Sequence, residues 1–308
     1  MRYGERMIAA ELRPIVEHLP PRRPNADVAE TRRAFRSLVA KSERPDPRIR
    51  TENFVANGVP ITCFRPAEPR SAKRPIVVFM HGGGFVYGSA ADASLSAASL
   101  VPELDATIIS VEYRLAPEHL FPAGVEDCYA ALVWTAANAE ALGCDPSRLA
   151  VMGPSAGGCL AAATALLARD RGGPAIAFQC LQIPALDDRR TSHSARTVED
   201  PRLIDAAAAR ATWDRYLGAD RTNVSPYAAP LRAENLSGLP PAYIQTCEFD
   251  PYRDDGLDYA RRLIEAGVST ELYNVPGSFH AFELFAPEST LARDTRAHWM
   301  AAMQRALG

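Results

Sequence analysis

The chain has 308 residues, of which 47% are hydrophobic and 23% charged, with a formal net charge of −3. This length suits one large α/β domain with an accessory cap and allows a full core. The small negative charge offers no electrostatic basis for binding nucleic acid. The first six residues, MRYGER, lack the apolar core of a signal peptide, and no stretch approaches the roughly eighteen apolar residues of a membrane span. These features predict a cytoplasmic protein without nucleic-acid or membrane partners.

Two helices are predicted in residues 1–45. Ile8, Leu12 and Val16 recur at helical spacing, and Pro14 is expected to kink or restart the first helix. Asn25 is a predicted N-cap for the second helix. A proline-containing run at 42–47 reads as a linker and ends this arm.

Strand and helix patterns alternate from residue 49 onward. Strands are predicted near 49–56, 60–65, 75–80, 106–112, 148–153, 176–183, 242–247 and 271–275, with helices near 124–142, 255–266 and at the C-terminus. This alternation predicts an α/β fold with a mostly parallel central sheet flanked by helices. Asn57-Gly58 separates the first two strands, which predicts a hairpin and an antiparallel edge.

A polar stretch and a helix interrupt the alternation after Pro184. The helix, near 203–217, carries Trp213 and Tyr216, whose side chains are expected either to pack it onto the core or to roof a site. We therefore expect residues 1–45 and 185–220 to form a helical cap, and residues 46–184 and 221–308 to form the core domain.

Two glycine-containing motifs carry the chemistry. Gly153-Pro154-Ser155-Ala156-Gly157 is a G-x-S-x-G string between an apolar run and a run of small helix formers. That context is typical of a nucleophile elbow, a sharp strand-to-helix turn that exposes a serine hydroxyl. The second motif, HGGG at 81–84, follows another apolar run, and its backbone N–H groups can stabilise an oxyanion.

A nucleophilic serine needs an imidazole base that is oriented by a carboxylate. The histidines are His18, His81, His119, His193, His280 and His298. In α/β-hydrolases the chain order is serine, acid, histidine, with the last two on loops after late strands. Only His280 lies after Ser155 on such a loop, so it is the predicted base.

Five acidic residues follow the strand at 242–247 and compete for the orienting role: Glu248, Asp250, Asp254, Asp255 and Asp258. Asp250 is favoured because it lies in the loop directly after the strand, where Pro251 disfavours an immediate helix. Asp254 and Asp255 lie at a helix start, so we expect them to cap that helix and to interact with its dipole.

The six cysteines are scattered without a CxxC pair, at positions 63, 128, 144, 159, 180 and 247. Most lie in apolar runs, which favours buried free thiols over disulfides or a metal site. No metal or cofactor is predicted.

Five strings, in this order and spacing, resemble the bacterial hormone-sensitive-lipase-like carboxylesterases, family IV of the lipolytic α/β-hydrolases. They are HGGGF (81–85), YRLAPEHLFPA (113–123), GPSAGG (153–158), DPYRDDG (250–256) and SFHAF (278–282). The resemblance covers roughly residues 45–308, and the N-terminal arm is similar to the cap helices of that family.

The resemblance implies a triad of Ser155, Asp250 and His280. It also implies an oxyanion hole made of the backbone N–H groups of Gly83, Gly84 and Ala156, with His81 and Gly82 shaping the loop. Tyr113 would be part of the scaffold, and Arg114, Glu118 and His119 would form a buried polar network. Two positions depart from the family pattern. Pro154 stands where the family usually has Asp or Thr, and Ala281 stands where it usually has Gly.

The implied function is serine carboxylesterase activity on short- to medium-chain esters, without a cofactor, in a monomer or homodimer. A different class on this fold is a non-catalytic small-molecule receptor, as in the plant gibberellin receptors, but those have lost the catalytic histidine. An amidase, lactonase or acyltransferase could use the same triad, because a fold does not determine its substrate.

Overall fold

The computed structural model describes residues 8–23, 26–42, 46–91 and 97–308. Its centre is a sheet of eight strands: β1 (Ile49–Ala56), β2 (Val59–Pro66), β3 (Arg74–Met80), β4 (Thr107–Val111), β5 (Cys144–Pro154), β6 (Phe178–Gln182), β7 (Ala242–Phe249) and β8 (Thr270–Phe279). The strand order is β1-β2-β4-β3-β5-β6-β7-β8. β1 pairs antiparallel with β2, and β2 antiparallel with β4, while the remaining neighbours are parallel.

The predicted fold class is therefore confirmed, including the antiparallel edge. Asn57 and Gly58 connect β1 to β2 with φ angles of 50° and 90°. A left-handed pair of this kind suits the right-handed twist of a hairpin.

Helices cover both faces of the sheet. They are α1 (Arg13–His18), α2 (Val28–Ser42), α3 (Leu100–Leu104), α4 (Ala123–Asn138), α5 (Ala156–Asp170), α6 (His193–Thr197), α7 (Ala206–Leu217), α8 (Arg253–Glu265), α9 (Phe282–Phe285) and α10 (Thr290–Leu307). α4, α5 and α8 share one apolar cluster with the sheet, and α3 and α10 share another on the opposite face. The buried strands read as continuous apolar runs because both faces are covered.

The N-terminal arm packs against the segment after the glycine loop, against residue 116 and against α7. The guanidinium group of Arg32 in α2 donates to the carbonyl oxygens of Val86 (2.7 Å) and Ala116 (3.1 Å). Arg215 in α7 donates to the Ala26 carbonyl oxygen at 3.0 Å. α1 begins at Arg13, so Pro14 lies in its first turn, where a missing N–H costs nothing. The predicted N-cap Asn25 and residues 43–45 lie outside the described residues.

Trp213 and Tyr216 pack α7 onto the core. Both are almost fully buried, and the Tyr216 ring stacks on Phe85 with centroids 3.8 Å apart. Neither lines the cavity described below, which is bordered instead by Thr212 of the same helix. The packing alternative is thus the correct one for these two aromatic side chains.

The expected buried network around Arg114 is wrong. Arg114, Glu118 and His119 are all exposed. Arg114 pairs with Asp127, with 2.7 Å between Nη2 and Oδ1, and Glu118 pairs with Arg32 of α2. Residues 113–123 are therefore joined to the arm by the Glu118–Arg32 pair at the surface, which is worth about 1 kcal/mol or less, and to α4 by the pair with the buried Asp127.

All six cysteines are free and buried, as predicted. Burial raises the pKa of the Cys63 thiol to about 12 and that of Cys128 well above its usual value. These thiols therefore act as small apolar side chains.

Candidate active site

The serine turn joins β5 to α5. Ser155 has φ 57° and ψ −118°, and its N–H donates to the Gln182 carbonyl oxygen at 2.8 Å. Gly157 allows the close approach of α5 to β3, because a Cβ atom there would lie 2.0 Å from the Met80 carbonyl oxygen. The strained backbone at Ser155 lifts its hydroxyl above the carboxyl end of the sheet, as the nucleophile-elbow prediction requires.

His280 connects Ser155 with Asp250. Its Nε2 lies 2.9 Å from Ser155 Oγ, and its Nδ1 lies 2.6 Å from Asp250 Oδ2. Asp250 is fully buried and His280 is 5% exposed. Because a carboxylate only accepts, Nδ1 carries the proton and leaves Nε2 to accept from the serine hydroxyl.

Further contacts hold the two late loops. The second oxygen of Asp250, Oδ1, accepts from the Tyr252 N–H at 2.9 Å. The Tyr252 ring meets the imidazole of His280 edge-on, with centroids 5.4 Å apart. The Glu248 carboxylate, at the end of β7, accepts from the Gly277 N–H in β8 at 2.6 Å. These contacts restrict the side chains of Asp250 and His280 to one arrangement.

Ala281 takes a left-handed conformation directly after His280, with φ 60° and ψ 28°. This backbone is strained for any residue with a Cβ atom. The position is the one at which the family pattern usually has glycine. Alanine is therefore tolerated here at a cost in stability.

The glycine loop borders the same cavity as Ser155. Gly83 has φ 117°, and a Cβ atom there would lie 2.0 Å from the Tyr87 carbonyl oxygen, so only glycine fits. Gly84 has φ 57° and lies under Thr212 of α7. The N–H of Ala156 is in the first turn of α5, where it has no intrahelical acceptor.

His81 lies at the base of this loop. Its Nδ1 is 2.7 Å from the Gly82 carbonyl oxygen, and its ring stacks on Tyr113 at 4.1 Å. The Tyr113 hydroxyl donates to the His81 carbonyl oxygen at 2.8 Å. Burial lowers the pKa of His81 to about 4, so this imidazole stays neutral near pH 7.

Asp254 and Asp255 do not cap α8, contrary to expectation. Asp254 instead accepts from the Ser194 N–H at 2.7 Å, and its own N–H donates to the Ser194 hydroxyl at 3.1 Å. Asp255 is 2% exposed and accepts from the Asp187 N–H at 3.2 Å. Burial raises the pKa of Asp255 well above its usual value. Both side chains hold the 187–194 segment onto α8.

The cavity above Ser155 has a volume of about 960 Å³. Its lining includes the loop residues 81–84, Pro154, Ser155 and His280, together with Phe35 of α2 and Thr212 of α7. Sequence reasoning missed the charged residues of its wall, among them Glu283 of α9 and Arg296 of α10. Burial raises the pKa of Glu283 to about 7, and Gln245 Nε2 donates to its Oε2 at 2.9 Å.

In the described part of the chain, no helix is long and apolar enough to cross a membrane. Within the same residues, no group of three or more His, Cys, Asp or Glu side chains could hold a metal ion.

A serine hydroxyl bonded to a carboxylate-oriented imidazole, at the turn after β5 of this sheet, defines an α/β-hydrolase. A family profile described as an alpha/beta hydrolase fold matches residues 77–284. The chain is 40% identical to Carboxylesterase NlhH of Mycobacterium tuberculosis over 92% of this chain and 91% of that protein. It is 36% identical to an Arylesterase of Saccharolobus solfataricus, with 82% and 83% of the two chains covered.

A solved structure described as Bacterial Heroin Esterase is 39% identical to this chain. It superposes with a TM-score of 0.94 over 99% of both chains. The chain belongs to the hormone-sensitive-lipase-like carboxylesterases of the α/β-hydrolase superfamily and is a carboxylic ester hydrolase.

Proposed function

We propose that Ser155, His280 and Asp250 hydrolyse carboxylic esters through an acyl-enzyme intermediate. The observation that carries this proposal is the imidazole of His280, which lies within hydrogen-bond distance of both Ser155 Oγ and Asp250 Oδ2. The ordered His280 also separates this chain from a non-catalytic receptor on the same fold, which would not need the base.

In the proposed reaction, Ser155 Oγ attacks the ester carbonyl carbon while His280 Nε2 takes its proton. The same Nε2–H then protonates the departing alcohol oxygen. Water attacks the acyl-enzyme with His280 again as base, and Ser155 regains its proton. Asp250 holds the Nδ1–H tautomer and stabilises the charged imidazole through both half-reactions.

The negative oxygen of each tetrahedral intermediate would be stabilised by the backbone N–H groups of Gly83, Gly84 and Ala156. Fixed backbone donors suit this role because they need no reorganisation when the charge develops. Gly82 and a neutral, buried His81 would hold the loop in shape, without transferring a proton.

We further propose that residues 1–45 and 185–220 act as a cap over a catalytic core of residues 46–184 and 221–308. Support comes from the cavity, whose lining combines Phe35 and Thr212 from the first group with Ser155 and His280 from the second. A roofed cavity of about 960 Å³ favours acyl chains of about two to eight carbon atoms over longer ones.

The buried, free thiols favour a reducing compartment, so we propose that the enzyme acts in the cytoplasm. We propose a monomer or a homodimer as its assembly, which light scattering coupled to size-exclusion chromatography measures directly.

Covalent labelling tests the nucleophile. A p-nitrophenyl phosphonate is expected to release one equivalent of p-nitrophenol and to leave its phosphonyl group on the peptide containing Ser155. Ser155→Ala should lose the label and several orders of magnitude in kcat. Ser237→Ala, at an exposed serine, is the matched control and should keep both. Normal turnover by a folded Ser155→Ala protein would refute the assignment.

A panel of p-nitrophenyl esters from acetate to palmitate tests the chain-length proposal. We expect the highest kcat/KM among the shorter acyl chains and no jump in rate above the solubility limit. Efficient hydrolysis of emulsified long-chain triglycerides would contradict the role proposed for the cap.

A further inference from the structure

The wall of the active-site cavity next to α10 is polar. Gln182 of β6, Glu283 of α9, and Arg296 and Trp299 of α10 all line the same cavity as Ser155. A cavity built only for a hydrocarbon acyl chain needs none of these groups.

Strand register explains how this wall forms. Gln182 and Gln245 are direct neighbours on the parallel strands β6 and β7. Two residues earlier on each strand, Cys180 and Tyr243 pack in the apolar cluster that includes Trp299. Side chains alternate along a strand, so Gln182 and Gln245 lie on the face that α10 covers. The polar residues therefore replace apolar ones at core positions of the sheet.

Gln245 and Glu283 are linked behind the cavity surface. Gln245 is fully buried, and its Nε2 donates to Glu283 Oε2 at 2.9 Å. Glu283 lies three residues after His280, in the short helix α9. The bond from Gln245 orients a carboxyl group that borders the substrate cavity close to the imidazole.

Polar atoms in this wall lack partners among the described residues. The indole N–H of Trp299 faces the Glu283 carboxyl group and lowers the pKa of that group, but among the described residues its buried Nε1 has no partner within hydrogen-bond distance. The carboxyl group of Glu283 has further lone pairs beyond the bond to Gln245. A donor and an acceptor in a buried wall are costly unless a bound molecule satisfies them.

A hydroxyl group fits this pair better than a cation does. It can donate to the Glu283 carboxyl group and accept from the Trp299 N–H. An ammonium group would also meet the guanidinium of Arg296, which lines the same wall and pairs with Glu103. Like charges in a partly desolvated cavity repel strongly.

We propose that Glu283 and Trp299 form a subsite that binds a hydroxyl group of the substrate, so that hydroxylated esters are preferred over unsubstituted esters of equal length. The inference rests on the proposed ester hydrolysis and adds a substrate class to it. Gln245 acts as a positioning residue, because it contacts Glu283 rather than the substrate.

Isosteric ester pairs test the subsite. On the acyl arm, p-nitrophenyl butyrate is compared with p-nitrophenyl β-hydroxypropanoate, in which a hydroxyl replaces the terminal methyl. On the alcohol arm, propyl acetate is compared with hydroxyethyl acetate, and dimethylaminoethyl acetate tests a cation. Each kcat/KM is divided by the alkaline hydrolysis rate of the same ester. We expect roughly a tenfold preference for the hydroxyl on one arm.

Three variants identify the source of the preference. Glu283→Gln should lose most of it, because the new amide turns its oxygen to Gln245 and offers no acceptor to the substrate. Trp299→Phe removes the indole N–H but keeps an apolar aromatic ring, and it should lower the preference. Glu288→Gln, at an exposed position that also lines the cavity, is the matched control and should retain the wild-type ratio.

The outcomes separate the two proposals. Hydrolysis of butyrate without a hydroxyl preference on either arm would overturn the subsite and leave the esterase proposal standing. A preference that survives both Glu283→Gln and Trp299→Phe, or a preference for the cationic ester, would also overturn it. Failure to hydrolyse any of the esters would instead refute the proposed function.

Discussion

The carboxyl group of Glu283 is expected to make the stability of this protein fall as the pH rises. Burial is the main cause of its raised pKa, and the hydrogen bond from Gln245, the Trp299 side chain and the charge of Arg296 offset burial only in part. The folded state therefore holds this proton more tightly than the unfolded chain does.

The sign and size of the effect follow from proton linkage. The pKa of Glu283 is about 7 in the folded protein, against an ordinary value of 4.5 for a free glutamate side chain. Below that lower value both states are protonated, and the contribution of this group to stability is complete. As the pH rises toward the folded pKa, the unfolded state loses its proton first. This lowers the free energy of unfolding by up to about 3 kcal/mol.

Glu283→Gln removes this dependence, because an amide does not titrate. Urea unfolding followed by circular dichroism between pH 5 and pH 8 measures it. Between pH 5 and pH 8, the unfolding free energy of wild type should fall by about 2–3 kcal/mol more than that of Glu283→Gln. Glu288→Gln is the exposed control, and its unfolding free energy should change with pH as that of wild type does. The same pH dependence of the unfolding free energy in wild type and Glu283→Gln would refute the role assigned to Glu283.

Four further variants test the triad and the residues around it. Asp250→Asn should lower kcat on p-nitrophenyl butyrate by about 10³–10⁴, whereas Asp255→Asn should cost far less; the opposite ranking would remove Asp250 from the triad. Ala281→Gly should raise the unfolding free energy by about 1 kcal/mol, because glycine relieves the left-handed strain, and a lower urea midpoint would contradict this. Pro154→Asp should stay active, with the acidic limb of its pH–rate profile at higher pH, since a nearby carboxylate favours the charged imidazole of His280. A folded but inactive Pro154→Asp protein, or an unchanged acidic limb, would contradict this prediction.

Local patterns in the sequence were sufficient for the fold and for the positions of the candidate triad. Apolar runs, turn residues and helix formers act within a few positions of one another, so they predict where the eight strands and the longer helices lie, although the short helices α3, α6 and α9 were not predicted. Ser155 could be singled out because an elbow needs small residues at fixed offsets. His280 could be singled out because chain order leaves one histidine after a late strand. Asp250 followed from its place beside Pro251, although four other acids stood near it.

The partners of charged side chains were decided only by tertiary structure. Asp254 and Asp255 lie at a helix start, where capping is the ordinary expectation, yet they bind a segment about sixty residues away. Arg114 and Glu118 were expected to be buried together and are exposed, each with a different partner.

Glu283 shows the same limit at the candidate site. Nothing in its neighbouring residues marks it, because its burial depends on β7 and α10, which meet only in the folded chain. Sequence by itself determined the backbone course and the serine, histidine and aspartate that it brings together. The shape of the cavity, the polarity of its wall and the charge state of Glu283 depend on which distant surfaces exclude water, and only the folded arrangement decides that.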